Sequence, residues 1–192
     1  MPTPNPAALD FLLTRQSRPA KTFTLPVPTR DELAPILTAA LRVPDHGKLE
    51  PWRLIVLERP ALQRLATLAA RRSVELGHDE EKTAKGRGQF DLGLLAVAVV
   101  GSPKPSDKIP ESEQVLSTGA LCLSLVNAAT AAGWGANWLS GWPSLDRPFL
   151  SQGLGLAAHE FLAGFIHIGT APVTPPDRPR PELDRIATWV SA

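Results

Sequence analysis

The sequence has little of what marks secreted or membrane proteins. It contains one cysteine, Cys122, which cannot form an internal disulfide and lies in an apolar run, so that a place in the core is favoured over a catalytic role. No run reaches the roughly 18 apolar residues that span a bilayer, and the opening segment lacks the layout of a signal peptide. We therefore expect a soluble, cytoplasmic protein without a membrane partner.

Charge of one sign and metal-ligand spacing are also missing. The formal net charge of +1 over 192 residues provides no general attraction to nucleic acid, so we expect no nucleic-acid partner and only a local anion site. His159-Glu160 begins like the helix of a zinc protease, but Ala163 stands where the second histidine is needed. We therefore expect no metal.

Two further motifs are incomplete. Ser140 precedes Gly141, but no glycine stands at position 138, so the nucleophile-elbow pattern fails. Residues 153–158 match a loose dinucleotide fingerprint, but they precede a strand pattern instead of following one, and a glycine-punctuated turn is favoured. With no evident nucleophile, triad or metal, any chemistry would come from a bound cofactor.

Local signals predict the main helices. Asn5-Pro6 reads as a helix start, and this first helix should stop near Arg15. A capping box at Thr29–Glu32 begins a second helix that runs to Arg42, and Pro60 begins a third. Residues 111–132 form a long pattern that is apolar on nearly all sides, which predicts a helix buried on all sides, in the middle of the molecule or between subunits.

The strand patterns and the fold class follow from the same signals. Strands are predicted at residues 54–57, which we expect to be buried, at 94–100, expected to be central, within 133–142, and at 161–168. Residues 77–88 are predicted to form a mobile loop or a short surface helix. The order of helices and strands indicates a single α+β or α/β domain spanning residues 1–192. A regular βαβ alternation is missing, so a simple doubly wound sheet is less favoured. A proline-rich arm at 171–192 is predicted to contain a short helix at 183–190.

Two stretches suit an anionic ligand. The loop 42–52 concentrates Arg42, His46 and Lys48 between a helix and a strand. Arg15 and Ser17 stand where the first helix ends, although taken alone this pair also fits a surface role. Together with the aromatic turn near Trp138, these residues suggest a cofactor that carries a phosphate and a polar ring.

The residues around these stretches resemble a known family. Arg15-Gln-Ser-Arg18, followed by Phe23, is similar to the Arg-Arg-Ser-x-Arg opening of the FMN-dependent nitroreductases. The loop 42–52 resembles Arg-Ala-Pro-Asp-His-Lys-x-x-Gln-Pro-Trp in the short YdjA-type branch. The resemblance continues through residues 133–138 and 164–170 and covers nearly the whole chain.

This resemblance implies a three-layer α+β fold with a central, mainly antiparallel sheet flanked by helices, in an intertwined homodimer with FMN at the subunit interface. It assigns FMN contacts at the phosphate and ribityl chain to Arg15, Gln16 and Ser17, and contacts beside the ring to Trp138, Leu139 and Ser140. It assigns further FMN contacts to Arg42 and His46, from the same or from the partner subunit. It assigns the NAD(P) contacts to Ala128, Ala129, Thr130, Ala131, Ala132 and Gly133.

The function that the resemblance implies is ping-pong hydride transfer from NADH or NADPH, through FMN, to a small-molecule electron acceptor such as a nitroaromatic, a quinone or an enone. Three departures from the family pattern bear on it: Gln16 and Leu139 each replace an arginine, and Glu50 replaces a glutamine. A non-catalytic FMN-binding protein and a cofactor-free interaction domain therefore stay open as alternatives. Arg178 or Arg180 would either contact the phosphate or lie in solvent.

Overall fold

Seven α-helices and one four-stranded sheet make up the regular structure of residues 3–191, the part of the chain that this computed structural model describes. The helices are α1 (Pro6–Thr14), α2 (Arg30–Ala40), α3 (Arg59–Glu75), α4 (Glu80–Asp91), α5 (Glu111–Ala131), α6 (Arg147–Leu154) and α7 (Leu183–Ile186). The strands are β1 (Trp52–Glu58), β2 (Leu95–Gly101), β3 (Gly135–Leu139) and β4 (Phe161–Gly169).

The strands form one antiparallel sheet in the order β1-β2-β4-β3. Every residue of β2 is buried, which confirms the predicted central strand. Since successive side chains alternate across a sheet, Val97 and Val99 pack against α2 and α5, while Ala96 and Ala98 face α3 and α6. Helices therefore cover both faces of the sheet, and the three-layer α+β fold is confirmed.

The predicted helix starts are confirmed at the level of hydrogen bonds. The Asn5 side chain accepts a hydrogen bond from the backbone N–H of Ala8, and α1 ends at Thr14 with Arg15 as its C-cap. At the start of α2, the Thr29 hydroxyl accepts from the Glu32 N–H, and the Glu32 carboxylate accepts from the Thr29 N–H. These caps satisfy N–H groups that have no partner within the helix.

Three predictions about local structure were wrong or incomplete. The segment predicted as a loop or short surface helix contains the twelve-residue helix α4, which Asp79 caps at its start. Helix α6 was not predicted, although the Asp146 carboxylate caps it through the Phe149 N–H. The short C-terminal helix ends at Ile186 instead of continuing to residue 190.

One prediction about burial needs correction, and another, the burial of α5 between subunits, is not tested by a single chain. Only Leu57 of β1 is buried, because β1 lies at the edge of the sheet within the described chain and pairs with β2 alone. Helix α5 packs one side on the sheet and α2, but Leu116 and Leu123 on its other side are 73% and 48% exposed. By length and composition α5 could also cross a membrane, a test that the core helix of a soluble protein passes too.

Cys122 and Glu160, two residues with chemically reactive side chains, contribute to the fold. Cys122 is fully buried in the core, and burial raises the pKa of its thiol to about 12. The Glu160 carboxylate accepts two hydrogen bonds of 2.7 Å from the Arg53 guanidinium, which together with the Ala157 N–H lowers the pKa of Glu160 to about 2. Glu160 therefore anchors β1 to the start of β4 instead of contributing to a zinc site.

Candidate functional site

A cleft of about 640 Å³ lies where α1 ends, and we call it the anion cleft. Its lining combines the end of α1 with the C-terminal arm and consists of Arg15, Gln16, Ser17, Pro19, Asn137 and residues 175–181. The Gln16 amide donates a hydrogen bond of 2.9 Å to the Asp177 carboxylate, and Arg180 donates to the Leu13 carbonyl. The arm is thus held over the cleft by contacts to α1 and to the residue that follows its C-cap.

Arginine side chains dominate the charge of this cleft. The Nη1 atoms of Arg15 and of neighbouring Arg18 are buried without a hydrogen-bond partner. Arg178 and Arg180, whose role the sequence left open, both line the cleft. A buried charged donor without an acceptor is costly, so a ligand that brings anionic oxygens would be stabilised here.

A second cleft of about 360 Å³, here called the inner cleft, adjoins the first. It shares Pro19 and Asn137 with the anion cleft, so the two clefts lie side by side, and we refer to them together as the groove. Most of its exposed lining is apolar, and its polar side chains are few. The remaining lining residues are Ala20, Lys21, Gly88, Gln89, Leu92, Gly93, Leu139 and His167.

The sheet register positions the floor of the inner cleft. Asn137 of β3 pairs directly with His167 of β4, so both side chains lie on the same face of the sheet as Leu139, two residues further along β3. The Asn137 amide donates to the Arg18 carbonyl at 2.6 Å. Because the Arg18 N–H also donates to the Ala136 carbonyl, the segment after α1 is fastened along β3 and closes the cleft on that side.

His167 is the most deeply buried titratable group of the inner cleft. Its side chain is 1% exposed, its Nε2 atom has no hydrogen-bond partner, and burial lowers its pKa to about 4. The imidazole is therefore neutral at neutral pH, and it can act as one donor and one acceptor.

This burial predicts a pH dependence of stability. His167 has a lower pKa in the folded than in the unfolded protein. Its contribution to the free energy of unfolding is therefore complete above the ordinary pKa of 6.5 and is lost as the pH falls through the window from 6.5 to 4. Chemical unfolding of the protein without added ligand should give a free energy that declines across this window. The decline should be smaller in His167→Phe than in His159→Phe, which changes an exposed histidine.

The predicted ring contacts divide between the two faces of β3. Leu139 lines the inner cleft, whereas Trp138 points to the opposite face, because neighbouring side chains of a strand alternate. The Trp138 indole N–H donates to the Ala163 carbonyl at 3.0 Å, and the residue is 41% exposed. Ser140 is exposed immediately after the strand.

The other predicted contact residues lie outside both clefts in the single chain. Arg42 is exposed after α2, and the Nδ1 atom of His46 lies 2.8 Å from the Glu113 carboxylate at the start of α5. Residues 128–133 form the end of α5 and the turn after it, and Ala129 among them is completely buried. The structure therefore brings Arg15, Gln16 and Ser17 close to Leu139, but it does not bring the loop 42–52 to them.

The sequence interpretation missed four polar residues of the inner cleft. Lys21, Gln89, Asn137 and His167 were given no role, although Asn137 and His167 lie within stretches that carry the resemblance, and the four come from separate segments of the chain. One local signal was available, because His167 interrupts the otherwise apolar strand Phe165-Ile-His-Ile168. A buried histidine within an apolar strand needs a partner or a function.

Comparisons with known proteins agree on one family. A model of the Nitroreductase family matches residues 13–170. "Putative NAD(P)H nitroreductase YdjA" of Escherichia coli K12 is 30% identical over 163 residues, covering 85% of this chain and 87% of that protein. "Putative NAD(P)H nitroreductase" of Haemophilus influenzae is 36% identical over 165 residues, covering 85% and 88%.

Solved structures share the fold. The crystal structure of a nitroreductase-like family protein from Bacillus cereus superimposes with a TM-score of 0.80 at 21% identity and covers 100% of both chains. The FMN and NADPH-dependent nitroreductase NfnB from "sphigopyxis sp. strain HMH" gives a TM-score of 0.69 at 21% identity, with 96% of this chain and 99% of that one covered.

Proposed function

The chain belongs to the nitroreductase family, and on that premise we propose that it is an FMN-dependent NAD(P)H oxidoreductase. The observation that carries the proposal is the groove of two adjoining clefts, with the buried, unpartnered Nη1 atom of Arg15 at the anion cleft and a largely apolar lining in the inner cleft. The groove requires a ligand with an anionic group at one end and a largely apolar ring at the other.

The residues present fit FMN on these grounds. The buried Nη1 atoms of Arg15 and Arg18 lack the acceptor that a phosphate would supply. Gln16 replaces a basic residue of the family pattern, but Arg178 and Arg180 add positive charge to the same cleft. The inner cleft adds the apolar surfaces of Pro19, Leu92 and Leu139, which suit a ring system.

When bound, FMN supplies hydride transfer from NADH or NADPH to an electron-poor acceptor such as a nitroaromatic, a quinone or an enone, in two half-reactions. The protein's own contribution is binding, orientation and exclusion of water. Arg15 would hold the phosphate, and the apolar residues of the inner cleft would exclude water from the ring. His167 stays neutral at neutral pH and supplies no acidic proton, so no side-chain acid is assigned.

We further propose a homodimer that completes the site. The exposed side of α5 carries Leu116 and Leu123 seven residues apart, which is the spacing of a helix-packing seam. A partner seated there would also cover Glu113 and could bring its own loop 42–52, with Arg42 and His46, over the groove. The nicotinamide contact at residues 128–133, on the end of the same helix, stays a prediction that depends on this arrangement.

Cytoplasmic localisation is part of the same proposal. Cys122 is a buried free thiol, which fits a reducing compartment, and nicotinamide nucleotides are supplied there.

Addition of NADH or NADPH without oxygen tests this function. The freshly purified protein, or the protein after incubation with FMN, should show a flavin absorption spectrum that bleaches with either nucleotide and returns when a quinone is added. A flavin spectrum that neither nucleotide bleaches would favour the non-catalytic FMN-binding alternative. A protein that stays colourless after incubation with FMN would contradict both.

A further inference from the structure

Two buried polar atoms of the inner cleft are not used by any contact described so far. They are Oε1 of Gln89, at the C-terminal end of α4, and Nε2 of His167, in the middle of β4. Each is buried and lacks a hydrogen-bond partner among the described residues. Two unpartnered atoms in one cleft imply a ligand or a water that satisfies both.

The elements that carry these atoms are firmly held. Helix α4 is packed against the turn after β3, where Trp142 lies so close to Gly86 that no side chain would fit at residue 86. The Trp142 indole N–H also donates to the Lys82 carbonyl at 3.1 Å. His167 is fixed by the β4 register, and its ring borders Gly93, which leaves it little freedom to turn towards another partner. The two atoms are therefore preorganised.

Their chemistry defines the group that would bind. The Gln89 amide nitrogen points towards the Gly86 carbonyl at 3.5 Å, which leaves Oε1 as an acceptor that requires an N–H or O–H donor. Burial keeps the His167 imidazole neutral, so its Nε2, in the tautomer that carries the hydrogen there, can donate a hydrogen bond to a carbonyl. A planar ring edge that bears an N–H beside a C=O would satisfy both residues.

We propose that Gln89 and His167 bind the imide edge of the flavin pyrimidine ring, with Gln89 Oε1 accepting from the ring N3–H and His167 Nε2 donating to a neighbouring carbonyl. This inference rests on the proposed function. It gives Gln89 and His167, to which the family resemblance assigned no role, the recognition of the ring that the inner cleft takes up. The pair would thereby select flavins with an intact imide over other apolar rings of similar size.

The first test changes the ligand and Gln89 together. Wild-type protein should bind FMN about tenfold more tightly than N3-methyl FMN, because the methyl group removes the donor and leaves Oε1 unpaired. Gln89→Met, which keeps the size but removes the acceptor, should weaken FMN about tenfold and leave N3-methyl FMN nearly unchanged. Gln63→Met, at an exposed glutamine of α3, should keep the wild-type preference.

The second test addresses His167 by spectroscopy. FMN labelled with ¹³C at C2 and C4 should show an upfield shift of one carbonyl resonance when bound to His167→Phe, because the hydrogen bond to that oxygen is lost. His159→Phe should move neither resonance, since His159 is exposed outside the cleft. Resonances that are unchanged in His167→Phe would overturn the role of the imidazole.

The outcomes separate this inference from the proposed function. If wild-type protein binds no flavin, the proposed function fails and the inference fails with it. If it binds FMN and bleaches with NADH or NADPH, but binds N3-methyl FMN equally well, the inference alone is overturned and water satisfies the two atoms. That comparison uses only wild-type protein, so it decides the question even if Gln89→Met does not fold.

Discussion

Replacing Arg15 with alanine is expected to weaken FMN binding by about 100-fold. The Nη1 atom of Arg15 is a buried donor of the anion cleft that has no acceptor in the protein, so the phosphate would receive a charge-assisted hydrogen bond from it. Such a bond contributes roughly 1.5 to 3 kcal/mol, and about 1.4 kcal/mol corresponds to a tenfold change in affinity. Titration of the flavin-free protein with FMN, followed by the quenching of flavin fluorescence, measures the effect.

A matched variant separates the loss of this contact from the general loss of a positive charge. Arg30 is exposed at the start of α2, lies outside both clefts, and makes no side-chain hydrogen bond among the described residues. Arg30→Ala should therefore bind FMN like the wild type. Equal FMN affinity in Arg15→Ala and Arg30→Ala would show that Arg15 does not hold the phosphate.

Replacing Leu123 with glutamate is expected to break the proposed dimer. Leu123 is 48% exposed at the middle of α5, and a carboxylate at the centre of an apolar interface would be desolvated without a partner. Light scattering should then give a mass near the 20.6 kDa of one chain instead of twice that value. Flavin affinity should fall in the same variant, because the partner's loop would no longer cover the groove.

The control for this variant is Val74→Glu. Val74 is 77% exposed on α3, which packs on the opposite face of the sheet from α5, so a carboxylate there should leave both the mass and the flavin affinity unchanged. A wild-type protein that is monomeric over the whole range of measured concentrations would refute the dimer. A Leu123→Glu variant that keeps the mass of a dimer would instead show that the exposed side of α5 is not the interface.

The elements that could be predicted are those with strong local signals. The capping box at Thr29–Glu32 and the Asn5-Pro6 start each depend on residues within one turn of the chain, and the structure contains both. The apolar runs at 94–100 and 161–168 predicted the two inner strands for the same reason. Helix α6 was missed although Asp146 and Pro148 give the same kind of local start signal, and its eight residues make it short.

The residues of the two clefts also divide into those that the sequence predicted and those that it did not. Arg15, Ser17 and Leu139 were named because the family segments that they match are each contiguous in sequence. Gln89 and His167 were not identified, because they are 78 positions apart and meet only through the packing of α4 on the sheet. The exposure of β1 was misjudged because an apolar run predicts a strand without giving its place in the sheet.

By itself, the sequence determined the family, the α+β composition, the starts of α1 and α2, and the segment Arg15-Gln-Ser17 that lines the anion cleft. Caps, periodicity and contiguous motifs act over a few residues, so they can be read directly from the chain. Only the tertiary structure decided which apolar surfaces stay exposed and which polar atoms share a cleft. Those properties depend on strand order and helix packing, which bring together residues that are distant in the chain. The exposed side of α5 and the pair of Gln89 and His167 exist only once the three layers are assembled.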